Sequence, residues 1–258
     1  MGTRAVTAAT GREIRGSGTD ELRWQSWDGL RRLPQASAGE LVPAGSRALV
    51  LAPHPDDELL GCGGLIRQLV ALRREVIVLA VTDGAASHPH STLWPAARLA
   101  RERPRESLRA LRRLGAGSVR VERLGLDDGR IGEQAQRLDA ALDRIVLGAD
   151  VLVSTWRLDG HPDHEASGRA AAQAAARHGA ALLEMPVWMW HWAAAGDTRV
   201  PWERACRLGL DDDSHAAKCA AVEAYRSQLS PDPTTGSGPV VAPGALAHLM
   251  RREEVYFR

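Results

Sequence analysis

The sequence predicts an α/β protein, a Rossmann-like, doubly wound and mostly parallel sheet with helices on both faces. Three observations predict it. From Ala48 onward, short apolar runs alternate with longer stretches at helical spacing. Strict alternation of strand and helix implies parallel strands with both faces covered. Right-handed crossovers between such strands then carry helices to both sides of the sheet. At 258 residues and 44% hydrophobic content, the chain can bury one large core.

Each element has its own signal. Residues 1 to about 20, rich in Gly, Thr, Ser and Arg, are expected to be poorly ordered. "ELRWQSWDGLRRLP" places Leu22, Trp24, Trp27, Leu30 and Leu33 at mixed helical spacing and reads as one short helix ended by Pro34. "ALVLA" (48–52) is a buried strand and "LIRQLVALRR" (65–74) a helix. "VIVLAVT" (76–82) is a strand, followed by a loop and a helix from Ala96 to Leu114. "VRVERLG" (119–125) is a strand, "EQAQRLDAALDRIVLG" a helix and "DVLVST" (150–155) a strand. The alanine-rich "HEASGRAAAQAAARHG" (164–179) is a helix closed by Gly179, where a left-handed residue is wanted. "ALLEMPVWMWHW" carries a further strand, with Trp188, Trp190 and Trp192 at period two on one face. Those indoles either pack on the core or form an aromatic platform. The Pro/Gly/Ser-rich stretch 230–244 is a surface connector or a cap over a site.

Bulk properties exclude several function classes. Formal net charge is +1, so no overall field draws the chain to nucleic acid. Lys218 is the only lysine among an arginine-dominated basic set. Cys62, Cys206 and Cys219 show neither CxxC spacing nor an even count, which suits buried thiols in a reducing, cytoplasmic setting. No apolar run nears the ~20 residues needed to span a bilayer, and the amino terminus lacks the apolar core of a signal peptide. No GxGxxG follows the first strand. "GCGG" (61–64) sits behind three acids that would repel a pyrophosphate.

The chemistry concentrates in two proline-bracketed clusters. "PHPDDE" occupies the loop after the first strand, and "HPDHE" (161–165) follows the fourth. In a parallel sheet both loops open on the same edge, where α/β folds place ligands. Pro53 and Pro55 stiffen the first turn. Two histidines and a carboxylate leave a position open for water on a divalent ion. Zinc suits that set, as do Fe²⁺ and Co²⁺. A further carboxylate beside that water can take its proton. A single such cluster also fits solvated loop acids or helix caps. Two at the ends of parallel strands favour a metal site.

"PHPDDELLGCGG" with "HPDHEASG" resembles the PIG-L/LmbE-like family, metal-dependent N-acetylglucosaminyl deacetylases. The resemblance runs from about Arg47 to Gln228. It implies His54, Asp57 and His164 as ligands of Zn²⁺ or another divalent ion and Asp56 as general base. It further implies that His161 stabilises the oxyanion or protonates the amine, and that Asp163 orients or tunes His161. Glu58 is expected to cap the following helix or support the loop, the alternative being a further metal ligand. "TDG" (82–84), "RPRESLRALRRLG" (103–115), "LGLDDG" (124–129) and "KCAAVEAYRSQ" (218–228) are weaker likenesses, the last with Tyr225 where many members have His. They imply substrate contacts from Arg103 and Asp128, and Trp188 is a further candidate. The chain then divides into an N-terminal extension, 1–46, partly disordered with a short helix, and one metal-dependent deacetylase domain, 47–258. The partner implied is a small N-acylated amino sugar or glycoconjugate. A metal-dependent hydrolase of another amide or ester, or a silent sugar- or metal-binding module on this fold, also remains open.

Overall fold

The computed structural model describes residues 11–258; the expectation of disorder for residues 1–10 lies outside the described residues. Residues 11–20 run along the body. The Arg12 guanidinium pairs with Glu165 at 3.1 Å, and Thr19 Oγ1 donates to the Ala193 carbonyl at 2.7 Å. Three short helices follow: α1 (Glu21–Ser26), α2 (Asp28–Arg32) and α3 (Ala38–Leu41). The single helix expected before Pro34 is therefore two. Trp27 adopts an extended backbone between them, while Trp24 is fully buried against Trp190.

The body alternates as expected: β1 (Ala48–Ala52), α4 (Asp57–Ala71), β2 (Val76–Thr82), α5 (Ala96–Arg113), β3 (Arg120–Leu126), α6 (Ala135–Ile145), β4 (Val151–Thr155), α7 (Pro162–His178) and β5 (Ala181–Met185). Helix α7 begins with Pro162 in its first turn and is capped by the His161 side chain. It ends at Gly179 with φ +68°, a left-handed residue. The chain then forms α8 (Met189–Trp192), β6 (Ala205–Gly209), α9 (Asp212–Val222), α10 (Arg226–Leu229), α11 (Pro243–Leu249) and β7 (Glu253–Phe257). No helix among the described residues is long and apolar enough to cross a membrane.

The seven strands among the described residues form one sheet in the order β3-β2-β1-β4-β5-β7-β6. The first five are parallel, and β7 pairs antiparallel with both β5 and β6. Strand β1 shows why both faces are covered. Ala48, Val50 and Ala52 enter one core, whereas Leu49 and Leu51 enter another, with Leu138 and Leu142 of α6 and Ala170, Ala171 and Ala174 of α7. Strand order reverses between β1 and β4, so the crevice for a ligand opens at their carboxyl ends.

The tryptophan segment differs from expectation. Pro186 ends β5, and Met189–Trp192 form a helical turn rather than a strand. The indoles therefore part company. Trp190 is buried, its Nε1 donating to the Pro186 carbonyl at 3.1 Å, and Trp192 Nε1 donates to the Asp159 carbonyl at 2.8 Å.

Candidate active site

The two acid–histidine clusters meet at the β1–β4 switch point. Asp57 Oδ2 lies 3.3 Å from His54 Nδ1 and 3.3 Å from His164 Nε2. His164 Nε2 is buried without a hydrogen-bond partner. Its other ring nitrogen, Nδ1, pairs at 2.7 Å with Asp159, which also accepts the backbone N–H groups of Val187, Trp188 and Met189. Asp159 thereby fixes the His164 ring and leaves Nε2 facing Asp57. Sequence reasoning misses this residue, whose only signal is a carboxylate five residues ahead of His164.

The spacing fits a small divalent ion. Donors held at about 2.1 Å by one tetrahedral ion stand about 3.4 Å from each other. The Asp57 contacts match that separation. Two triads bring one donor atom from each residue within 4.8 Å of the others: His54, His161 and His164, and His54, Asp128 and Asp163. The field is cation-seeking. Burial lowers the imidazole pKa values, yet Asp57, Asp128 and Asp163 hold His54 well above its ordinary value. Asp57 and Asp159 likewise raise His164 to about 9 against burial.

Asp56 stands apart from these contacts. Burial pushes its carboxyl up to about 7, with Asp57 adding to the rise and Arg103 opposing it. The Arg103 guanidinium is itself buried and donates to Asp56 Oδ2 at 3.1 Å and to the Gly84 carbonyl at 3.0 Å. Gly84 has φ +67°, and any side chain there would collide with that guanidinium. Arg103 thus fixes one oxygen of Asp56. Glu58 is buried behind the loop, accepting from the Asp56 N–H at 3.1 Å, the Tyr225 hydroxyl at 3.0 Å and Ser107 Oγ. The Tyr225 phenol thus faces Glu58 inside the core.

His161 and Asp163 are arranged differently from expectation. His161 Nδ1 accepts the Asp163 backbone N–H at 3.2 Å, so in the neutral ring the proton sits on Nε2. Burial, followed by repulsion from His164 and His54, lowers the His161 pKa to about 3. The Asp163 carboxylate makes no bond to His161. It accepts from the Gly129 N–H at 2.7 Å and the Ile131 N–H at 3.1 Å, and lies 3.2 Å from His54 Nε2. Two backbone donors in the β3–α6 loop outcompete the imidazole for it. Asp128, on the same loop, reaches His54 Nε2 at 3.1 Å and the Ala86 N–H at 2.7 Å. His54, Asp56, Asp57, Arg103, Asp128, His161, His164 and Trp188 all line a single cavity of about 390 Å³.

Residues 49–175 match the family model described as PIG-L, GlcNAc-PI de-N-acetylase. That span holds both acid–histidine clusters. The chain carries a PIG-L family domain. A relative named 1D-myo-inositol 2-acetamido-2-deoxy-alpha-D-glucopyranoside deacetylase, from Corynebacterium efficiens, is 27% identical over 72% of this chain and 73% of its own length. Among solved structures, a conserved protein of Thermus thermophilus is 26% identical with a TM-score of 0.59, covering 82% of this chain and 93% of that one. The N,N'-diacetylchitobiose deacetylase of Pyrococcus horikoshii shares the fold at 22% identity and a TM-score of 0.53, over 78% of this chain and 77% of that one. Part of the cavity's wall, including Ile14, Trp188, Gln228 and Leu249, comes from outside the PIG-L domain's matched span.

Proposed function

We propose that the chain is a metal-dependent N-deacetylase acting on an N-acetylglucosamine-type sugar or glycoconjugate. The observation that carries this reading is the buried, unpartnered Nε2 of His164, which shares Asp57 Oδ2 with His54 beside an acid held near neutrality. The family match and the deacetylase relative support the choice of bond.

His54, Asp57 and His164 would hold the ion, zinc or another divalent metal, with Asp159 fixing the His164 ring. When bound, the ion polarises the amide carbonyl and brings water towards ionisation at neutral pH. Asp56 takes the proton from the attacking water on the oxygen that Arg103 leaves free, then returns it to the departing nitrogen. His161 presents Nε2–H to the carbonyl oxygen as negative charge gathers there. Its depressed pKa keeps the ring neutral, which favours the oxyanion role over that of an acid. Asp163 acts one step back, through its N–H on His161 and its carboxylate on the β3–α6 loop. Asp128 and Trp188 line the cavity where the sugar would lie, and Arg103 acts through Asp56. The three unpaired cysteines are in keeping with a reducing, cytoplasmic compartment. The division into an extension, 1–46, and a catalytic domain, 47–258, is proposed on the same basis.

The test is acetate release from a panel of N-acetylglucosaminides, together with simple amides and esters, before and after chelation and zinc readdition. Release from the sugars alone, lost on chelation and restored by zinc, is expected. Release from simple esters alone, or from nothing despite bound metal, would overturn the reading.

A further inference from the structure

The cavity lining is of two kinds. Acids and histidines supply one part of it. Ile14, Val187, Val240, Val241, Ala245 and Leu249 also line it, and none of these carries a charge or a hydrogen-bonding side chain. These residues come from four places: the 11–20 segment, the turn between β5 and α8, the loop before α11, and α11 itself. All lie outside residues 49–175.

This wall is fastened to the catalytic machinery. Val187 donates its N–H to Asp159, the carboxylate that holds His164. Val241 donates its N–H to the Gln228 carbonyl at 3.0 Å. The same loop is pinned further back, where Thr234 Oγ1 accepts the Thr92 N–H at 3.2 Å. Ile14 is held in place by the Arg12–Glu165 pair, one residue from His164, and by His191 Nε2 on the Arg15 carbonyl. The loop that the sequence left as connector or cap therefore lines the site.

Apart from the C–H face of its ring, an N-acetylated sugar offers such a wall one methyl group. Its hydroxyls, set against aliphatic side chains, would lose water without gaining partners. We infer that the substrate carries an apolar group beyond the acetyl methyl, lying on this wall while the acylated nitrogen sits at Asp56 and His161. The inference rests on the deacylase reading above and narrows its substrate class. The apolar chemistry has two sources: a longer acyl chain on nitrogen, or an alkyl or aryl aglycone on the anomeric carbon.

The test uses the full-length chain carrying Asp56→Asn, loaded with zinc so that ligands bind without turnover, and titration calorimetry against two series. One keeps the acetyl group and lengthens the glycoside from methyl to hexyl. The other keeps the methyl glycoside and lengthens the acyl group from acetyl to hexanoyl. Kd is expected to fall about fourfold per methylene in one series, the gain from burying each CH₂, and to stay flat in the other. The responding series identifies the source. Ile14→Ser should flatten that dependence. Val240→Ser, at a position 37% exposed, should do the same without disturbing the 11–20 segment. Flat or absent binding across both series would overturn the inference. The wild-type chain assayed on the same compounds tests the reading beneath it. Hydrolysis without any chain-length dependence in Kd would spare the deacylase and defeat the apolar group. Chain-length-dependent binding without hydrolysis would do the reverse.

Discussion

As the proposed base, Asp56 must be ionised to act, and its neighbours pull it in opposite directions. Burial raises its carboxyl to about 7, Arg103 lowers it and Asp57 raises it again. A bound divalent ion favours the anion further. Because the ionised form is lost as pH falls through the pKa, kcat/KM should decline on the acid side. Arg103→Met removes the opposing positive charge, so the acid limb should move to higher pH. Matched pH–rate profiles of the two proteins check this, and an unmoved limb would show that Arg103 does not tune the base. At this scale the sequence was informative where residues are neighbours. The HPDD and HPDH runs bring ligand-type side chains together by spacing alone. Asp159 was not legible, because its role is to bind His164 while gathering the N–H groups of residues 187–189. Nor was the turning of Asp163 towards Gly129 and Ile131, which only the folded loop decides.

Helix α4 shows what an element needs beyond its own sequence. At Cys62 the backbone leaves helical geometry, within the small-residue run Gly61–Gly64. That break frees backbone groups in the core. Glu254 of β7 accepts the N–H groups of Gly64 and Leu65, and Lys218 of α9 donates to the Leu60 carbonyl and to Glu254 at 2.6 Å. Both side chains are buried, so removing one leaves an uncompensated charge. Lys218→Met is expected to cost about 3 kcal/mol or more of stability, read from the urea midpoint. A loss under about 1 kcal/mol would mean that the pair behaves as a surface ion pair. The lone lysine thus has a place that composition alone did not suggest. Strands β6 and β7 escaped the sequence reading because strict alternation stops after β5, and β7 returns antiparallel through α11. The α8 helix escaped because positions two apart look like a strand face until Pro186 is seen to end the strand.

The architecture was legible at the scale of the whole molecule, since near-continuous apolar strands separated by helices leave few topologies. What strand order adds is the reversal between β1 and β4, which turns two sequence motifs about a hundred residues apart into a single site. A site joining separate parts of the chain couples metal binding to global stability. At a zinc concentration about 100 times its Kd, the folded state gains about 2.7 kcal/mol. For a chain of this length that raises the melting temperature by about 5 °C or more. Chelation should reverse the rise, and His164→Ala should abolish it. An equal zinc response in His164→Ala would place the ion elsewhere.

The division of labour between the adjacent acids is tested most directly by Asp56→Asn, with zinc content and acetate release measured on the same preparation. Turnover is predicted to fall about a hundredfold or more while zinc occupancy stays at the wild-type level. Near-wild-type turnover with zinc bound would contradict the assignment of Asp56 as the base.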